Sequence, residues 1–65
     1  MEDNRIGEFW SASKCAHIAR VSDGVIRRMC RDHVLQDSGV ICRKIAGRWQ
    51  IDSDTYCMWL MESMR

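Results

Sequence analysis

Ser22-Asp23-Gly24-Val25-Ile26-Arg27-Arg28-Met29-Cys30-Arg31-Asp32 is the stretch on which the fold turns. Val25, Ile26, Met29 and Cys30 recur at helical spacing, so they make the buried stripe of a helix from about Asp23 to Asp32. Gly24, Arg27, Arg28 and Arg31 fall at i, i+3, i+4 and i+7 on the opposite stripe. Ser22 offers an N-cap, and Asp23 sits where the helix dipole favours an acid. Gly24 costs a helix about 1 kcal/mol against alanine. In return, its missing side chain lets that end of the helix approach another surface closely.

Upstream, Ser11 caps a first helix running to about Arg20. Its apolar positions are Ala12, Cys15, Ala16 and Ala19, with Ile18 widening the stripe. The small side chains let a second helix pack close, and Val21-Ser22-Asp23 makes the tight turn between the two. Residues 1–9 carry no clear periodicity and include a frayed end over residues 1–8, with Trp10 as a staple-like contact ahead of the first helix.

Downstream, Gln36-Asp37-Ser38-Gly39 is a polar break. Val40 to Ile45 and Arg48 to Ile51 read as strands joined through Ala46-Gly47. Two registers compete. A two-residue loop puts Cys42, Lys44, Trp49 and Ile51 on one face, and a three-residue loop gathers Ile41, Ile45, Trp49 and Ile51. Turn statistics favour the first and apolar content the second; in both, Arg43, Lys44 and Arg48 crowd the tip. Asp52 or Ser53 then caps a last helix from about Asp54 to Met64. Tyr56, Trp59, Leu60 and Ser63 form one stripe of it, and Cys57, Met58, Met61 and Met64 a second apolar surface. The expected fold class is α+β: helix, turn, helix, β-hairpin wing and C-terminal helix in one domain spanning residues 1–65.

Composition limits what such a domain does. A chain of 65 residues buries only about 60% of its unfolded surface. Its core is therefore thin, and a pocket of the roughly 300 Å³ that a substrate needs is hard to carve. No catalytic residues, small-molecule substrate or cofactor are expected. No stretch approaches the ~20 apolar residues of a membrane span, and residues 1–5 lack the apolar region of a signal peptide, which places the expected site of action in the cytoplasm. The four cysteines read as free core thiols. Cys15-Ala16-His17 and Cys30-Arg31-Asp32-His33 match no paired zinc template, so no metal site is expected.

Charge supplies the positive evidence. The net charge of +1 divides into −2 over residues 1–13, +5 over residues 14–48 and −2 over residues 49–65. A basic middle between acidic ends points to a localised anionic partner. Six of the eight bases in that middle are arginine, which suits bidentate contacts with phosphates and guanine edges. A helix-turn-helix with a basic second helix fits double-stranded DNA, its second helix in the major groove and the hairpin reaching backbone or minor groove. Lys14, Arg20, Arg43, Lys44, Gly47 and Arg48 belong to the backbone and wing contacts. Ser22, Asp23, Gly24, Arg27, Arg28 and Arg31 belong to the recognition helix, with Arg27 and Arg31 reading bases.

The same segments resemble the MerR-like winged-helix domain. Trp10-Ser11-Ala12-Ser13-Lys14-Cys15-Ala16 followed by Val21-Ser22 looks like its opening. Val25-Ile26-Arg27-Arg28-Met29-Cys30-Arg31-Asp32 resembles its recognition helix, and Gly47-Arg48-Trp49-Gln50-Ile51 its second wing strand. With no sensor region or coiled coil, the chain is most similar to the phage and transposon excisionases. Arg20 and His33 stand where that family usually has glycine, and Gln50 replaces a frequent basic residue. The resemblance implies a recombination directionality factor. Such a protein binds repeated sites, bends the DNA, positions a phage integrase for excision and performs no bond chemistry itself.

Two other functions fit the sequence. One is a small phage transcriptional regulator using the same DNA contacts. The other is an interaction adaptor or antirepressor that uses Met58, Met61 and Met64 as a partner surface and leaves its arginines solvated. Core filling is the competing reading of those methionines. Neighbouring copies on DNA are expected to join through either the methionine face or the polar loop 36–39.

Overall fold

A computed structural model describes residues 8–63. Within that span the chain orders as β1 (Phe9–Ser11), α1 (Ala12–Ala19), α2 (Asp23–Arg31), α3 (Val34–Asp37), β2 (Cys42–Ile45), β3 (Arg48–Asp52) and α4 (Ser53–Ser63). The result is a small α+β domain with an antiparallel sheet in the order β1-β3-β2. Met64, and residues 1–7 of the segment read as a frayed end, lie outside the described residues.

Helix α1 begins where Ser11 Oγ accepts a hydrogen bond from the Lys14 amide at 3.0 Å. Ala12, Cys15 and Ala16 are buried, but Ile18 is 39% exposed and does not widen the stripe. The helix ends in a Schellman motif. The Val21 amide donates to the Ala16 carbonyl and the Arg20 amide to the His17 carbonyl, with Arg20 in the left-handed region at φ 61°. On α2, Ile26 and Cys30 are buried and Val25 and Met29 half-buried, as the spacing requires. Ser22 occupies the cap position, yet its side chain makes no cap hydrogen bond.

His33, again at φ 61°, turns the chain into α3, a helix within the segment expected to be irregular. Four residues are too few to show a period. The short helix seats Leu35 in the core with 0% exposure, and the Gln36 side chain donates to the Cys30 carbonyl at 2.9 Å. It too closes with a Schellman motif, in which Gly39 at φ 98° takes the place that Arg20 has after α1.

The hairpin adopts the two-residue loop. Cys42 pairs with Ile51, Arg43 with Gln50, Lys44 with Trp49 and Ile45 with Arg48. Ala46 and Gly47 both have positive φ, at 52° and 77°, as a type I′ turn demands. The turn's match to strand twist outweighs apolar gain, and Ile41 and Ile45 are left 55% and 47% exposed. The first strand starts at Cys42 rather than Val40, because the Val40 amide closes α3 and the Ile41 amide donates to Thr55 Oγ1.

Strand β1 is the larger departure from the sequence reading. Phe9, Trp10 and Ser11 pair with Asp52, Ile51 and Gln50, so Trp10 is a strand residue and not a staple. Its ring meets Tyr56 edge-on at 6.4 Å. Asp52, 6% exposed, caps α4 by accepting from the Thr55 amide at 2.9 Å. Tyr56 is fully buried, stacks on Trp59 at 5.7 Å, and donates its hydroxyl to the Cys15 carbonyl of α1 at 2.8 Å. Around Tyr56 the core gathers Ile26, Leu35, Val40 and Ile51, with Trp10, Trp49, Trp59 and Leu60 as a half-buried rim.

Candidate nucleic-acid interface

Packing fixes which side of α2 faces outward. With Ile26 and Cys30 held in the core, Gly24, Arg27, Arg28 and Arg31 all lie on the exposed side. The arginines are not equivalent. The side chain of Arg31 is 73% exposed, with its Nε 3.7 Å from Asp32. That of Arg27 is 57% exposed, and its Nη1 lies 3.8 Å from Asp23 Oδ2. The same Asp23 oxygen accepts from Ser13 Oγ of α1. Asp23 therefore ties the two helices together and draws Arg27 toward α1. Its visible partners are intramolecular, and Ser13, which the sequence reading passed over, completes that link.

The hairpin cations, expected to crowd one tip, are dispersed by the strand alternation. Arg43 faces away from the helices, with its guanidinium carbon 3.7 Å over the Phe9 ring and its Nε donating to Gln50 Oε1 at 3.1 Å. Lys44 shares the helix-side face with Trp49, its Nζ 5.6 Å from that ring. Arg48 stands at the turn end of β3. On α1, Lys14 Nζ lies 4.8 Å over Trp10, and Arg20 is exposed at the helix end.

Three of these elements converge. A cleft of about 260 Å³ lies between the start of α1, Arg27 of α2, and Gly47, Arg48 and Trp49 of the hairpin. A second, of about 200 Å³, lies between Ser38–Gly39 and Met58, Trp59 and Glu62 of α4. The two surfaces proposed for joining copies, the 36–39 loop and the methionine face, thus border one another. Met58 and Met61 are 63% and 70% exposed, so core filling does not account for them.

All four thiols are free; two lie in the core, Cys42 packs half-buried against it, and Cys57 is half-buried outside that cluster. Cys15 and Cys30 have 0% exposure, while His17 and His33, close to them in sequence, are exposed. Among the described residues, no cluster of three or more His, Cys, Asp or Glu is arranged to hold a metal ion. Burial raises the pKa of Cys15 and Cys42 to about 12, and that of Cys30 is raised for the same reason. Burial likewise pushes Tyr56 up to about 12. No helix among the described residues is long and apolar enough to cross a membrane. Comparison with protein-family models, curated proteins and solved structures gives no match.

Proposed function

We propose that this protein is a winged helix-turn-helix DNA-binding protein that acts architecturally, in the manner of the excisionases it resembles. In this reading α2 enters the major groove, the β2–β3 hairpin is the wing, and α1 braces the backbone. The observation that carries it is the convergence of cations from separate elements. Arg27 on the exposed stripe of α2 and Arg48 on the hairpin line one cleft, with Arg28 and Arg31 continuing the stripe. Lone surface arginines are usually just solvated, but a single-sign stripe beside a basic hairpin is the footprint of a nucleic-acid partner.

Specific binding would come from Arg27, Arg28 and Arg31 at base edges, and affinity from Lys14, Arg20, Lys44 and Arg48 at phosphates. Affinity for random duplex should fall steeply with salt. On a duplex selected from a random library, Arg31→Ala should cost about 1–3 kcal/mol and relax preference at one position. Equal losses on selected and scrambled duplex would defeat that assignment.

The excisionase role adds side-by-side loading, bending and recruitment of an integrase. One helix and one wing cover ~10 base pairs, too little for genomic specificity without cooperating copies. Sedimentation of the free protein, with gel shifts on one-, two- and three-site duplexes, tests this. A stable free dimer filling sites independently would favour a transcriptional regulator. The exposure of Met58 and Met61 beside a cleft favours a protein-contact role for α4, which serves either reading and would alone sustain an adaptor.

A further inference from the structure

We propose that the methionine face of α4, with the turn that follows α3, is a docking groove for a basic amphipathic helix of another protein. The inference rests on the protein-contact role given to α4 above and names its partner. Helical spacing puts Asp54, Met58 and Glu62 along one stripe of α4, at i, i+4 and i+8, with Met61 beside them. All four are exposed. Thr55, Met58, Trp59 and Glu62 form one wall of the cleft of about 200 Å³, and Ser38 and Gly39 form the other. Ile41, whose amide donates to Thr55 Oγ1, adds a further exposed apolar side chain next to Thr55.

Charge selects the occupant. From Val34 to Ile41, and again from Asp52 to Ser63, the chain has no lysine, arginine or histidine. The acids of these segments are Asp37, Asp54 and Glu62, all exposed, and Asp52, which is buried and engaged by the Thr55 amide. An apolar strip bordered only by acids repels nucleic acid and attracts a cationic partner whose apolar side fills the strip. Methionine suits such a surface, because its unbranched thioether chain repacks around different apolar side chains. Met58 and Met61 stand one turn apart, which matches apolar anchors at i and i+3 or i+4 of a facing helix. Among the described residues, a second copy does not offer that helix. The arginines of α2 share it with Ile26 and Cys30, which are locked in the core. The groove and the arginine stripe belong to different elements, so the partner docks while α2 stays on DNA.

The test uses the full chain and a fluorescent synthetic peptide of leucine and lysine patterned as an amphipathic helix of about 18 residues, long enough to be helical. One control peptide has glutamate for lysine, and another has the same residues in scrambled order. Anisotropy should show saturable binding of the cationic amphipathic peptide, with both controls at least about tenfold weaker. Replacing both Met58 and Met61 by serine should weaken it by about tenfold or more. Glu62→Lys should weaken it by about three- to fivefold, and both variants should keep the wild-type urea midpoint. Equal binding of either control, or binding that survives the double methionine change, would overturn the proposal. A wild type that ignores all three peptides would overturn it too. If the double variant then still lost coupling between adjacent DNA sites, the occupant is a second copy and the contact role of α4 stands. If that coupling were unchanged as well, the contact role falls with the proposal.

Discussion

Replacing Arg20 by glycine should make the protein more stable and, on the proposed function, a weaker DNA binder at once. Arg20 holds φ 61° at the position of a Schellman motif where glycine is the usual occupant. The left-handed conformation costs an L-residue about 1–2 kcal/mol. Glycine removes that cost but adds about 0.4–1 kcal/mol of unfolded-state entropy. The net expectation for Arg20→Gly is a gain of about 0.5–1 kcal/mol, or about 2–8 °C in Tm for a domain of this size. His33 at the same φ should respond alike without any loss of DNA affinity. Gly39 provides the inverse experiment. It sits in an equivalent motif at φ 98°, and a Cβ there would meet nothing within 4 Å. Gly39→Ala should thus lose about 0.5–1.5 kcal/mol from conformation alone. Urea titration followed by tryptophan fluorescence measures all three variants. Binding of Arg20→Gly to random duplex should show a salt slope reduced by about one. A lower urea midpoint for Arg20→Gly, or a neutral Gly39→Ala, would refute the conformational argument. An unchanged salt slope would remove Arg20 from the interface.

Tyr56→Phe should cost about 1–1.5 kcal/mol, since it leaves the buried Cys15 carbonyl without the hydroxyl that reaches it at 2.8 Å. Tyr56→Ala should approach unfolding, because about 3–5 kcal/mol of cavity cost meets a total stability of roughly 3–10 kcal/mol; a midpoint close to wild type in urea would deny Tyr56 its central place. Stability should hold from neutral pH to about 9 and fall between about 9 and about 12. The unfolded thiols ionise near 9.0, while Cys15 and Cys42 in the fold resist to about 12, so the unfolded chain releases its protons first as pH rises. A urea midpoint that stays flat to pH 11 would contradict their burial. Replacing both Met58 and Met61 by serine should leave the urea midpoint within about 0.5 kcal/mol, as both are exposed. The same change should abolish the coupling between adjacent DNA sites, expected at about 1–3 kcal/mol, and two-site gel shifts with undiminished cooperativity would exclude this face from self-association.

Features that repeat along the chain were legible in the sequence, and features made by a single long-range contact were not. The apolar stripe of α2, the core positions of α1 and the Ser11 and Asp52 caps follow from local spacing, whereas Ile18 falls outside its stripe and the two-residue Ala46-Gly47 loop is one of two registers that spacing allows. Strand β1 escaped detection because three residues carry no period; Phe9–Ser11 is a strand only because β3 offers it an edge. Helix α3 escaped for the same reason, with only Leu35 to anchor it. The candidate site divides the same way. Which arginines are exposed on α2 follows from the helical period, but where each guanidinium goes depends on partners distant in sequence. Ser13 turns Asp23 toward α1, Asp23 draws Arg27 back, and Phe9 with Gln50 pulls Arg43 off the hairpin tip. A count of basic residues treats these cations as interchangeable. Their aromatic and acidic neighbours separate them: Arg27 lies beside Asp23, Arg31 beside Asp32, and Arg43 over Phe9 on the outer face of the sheet. The residues that set these cations apart are thus the uncharged or acidic ones, Ser13, Asp23 and Phe9, which a count of positive charges leaves out.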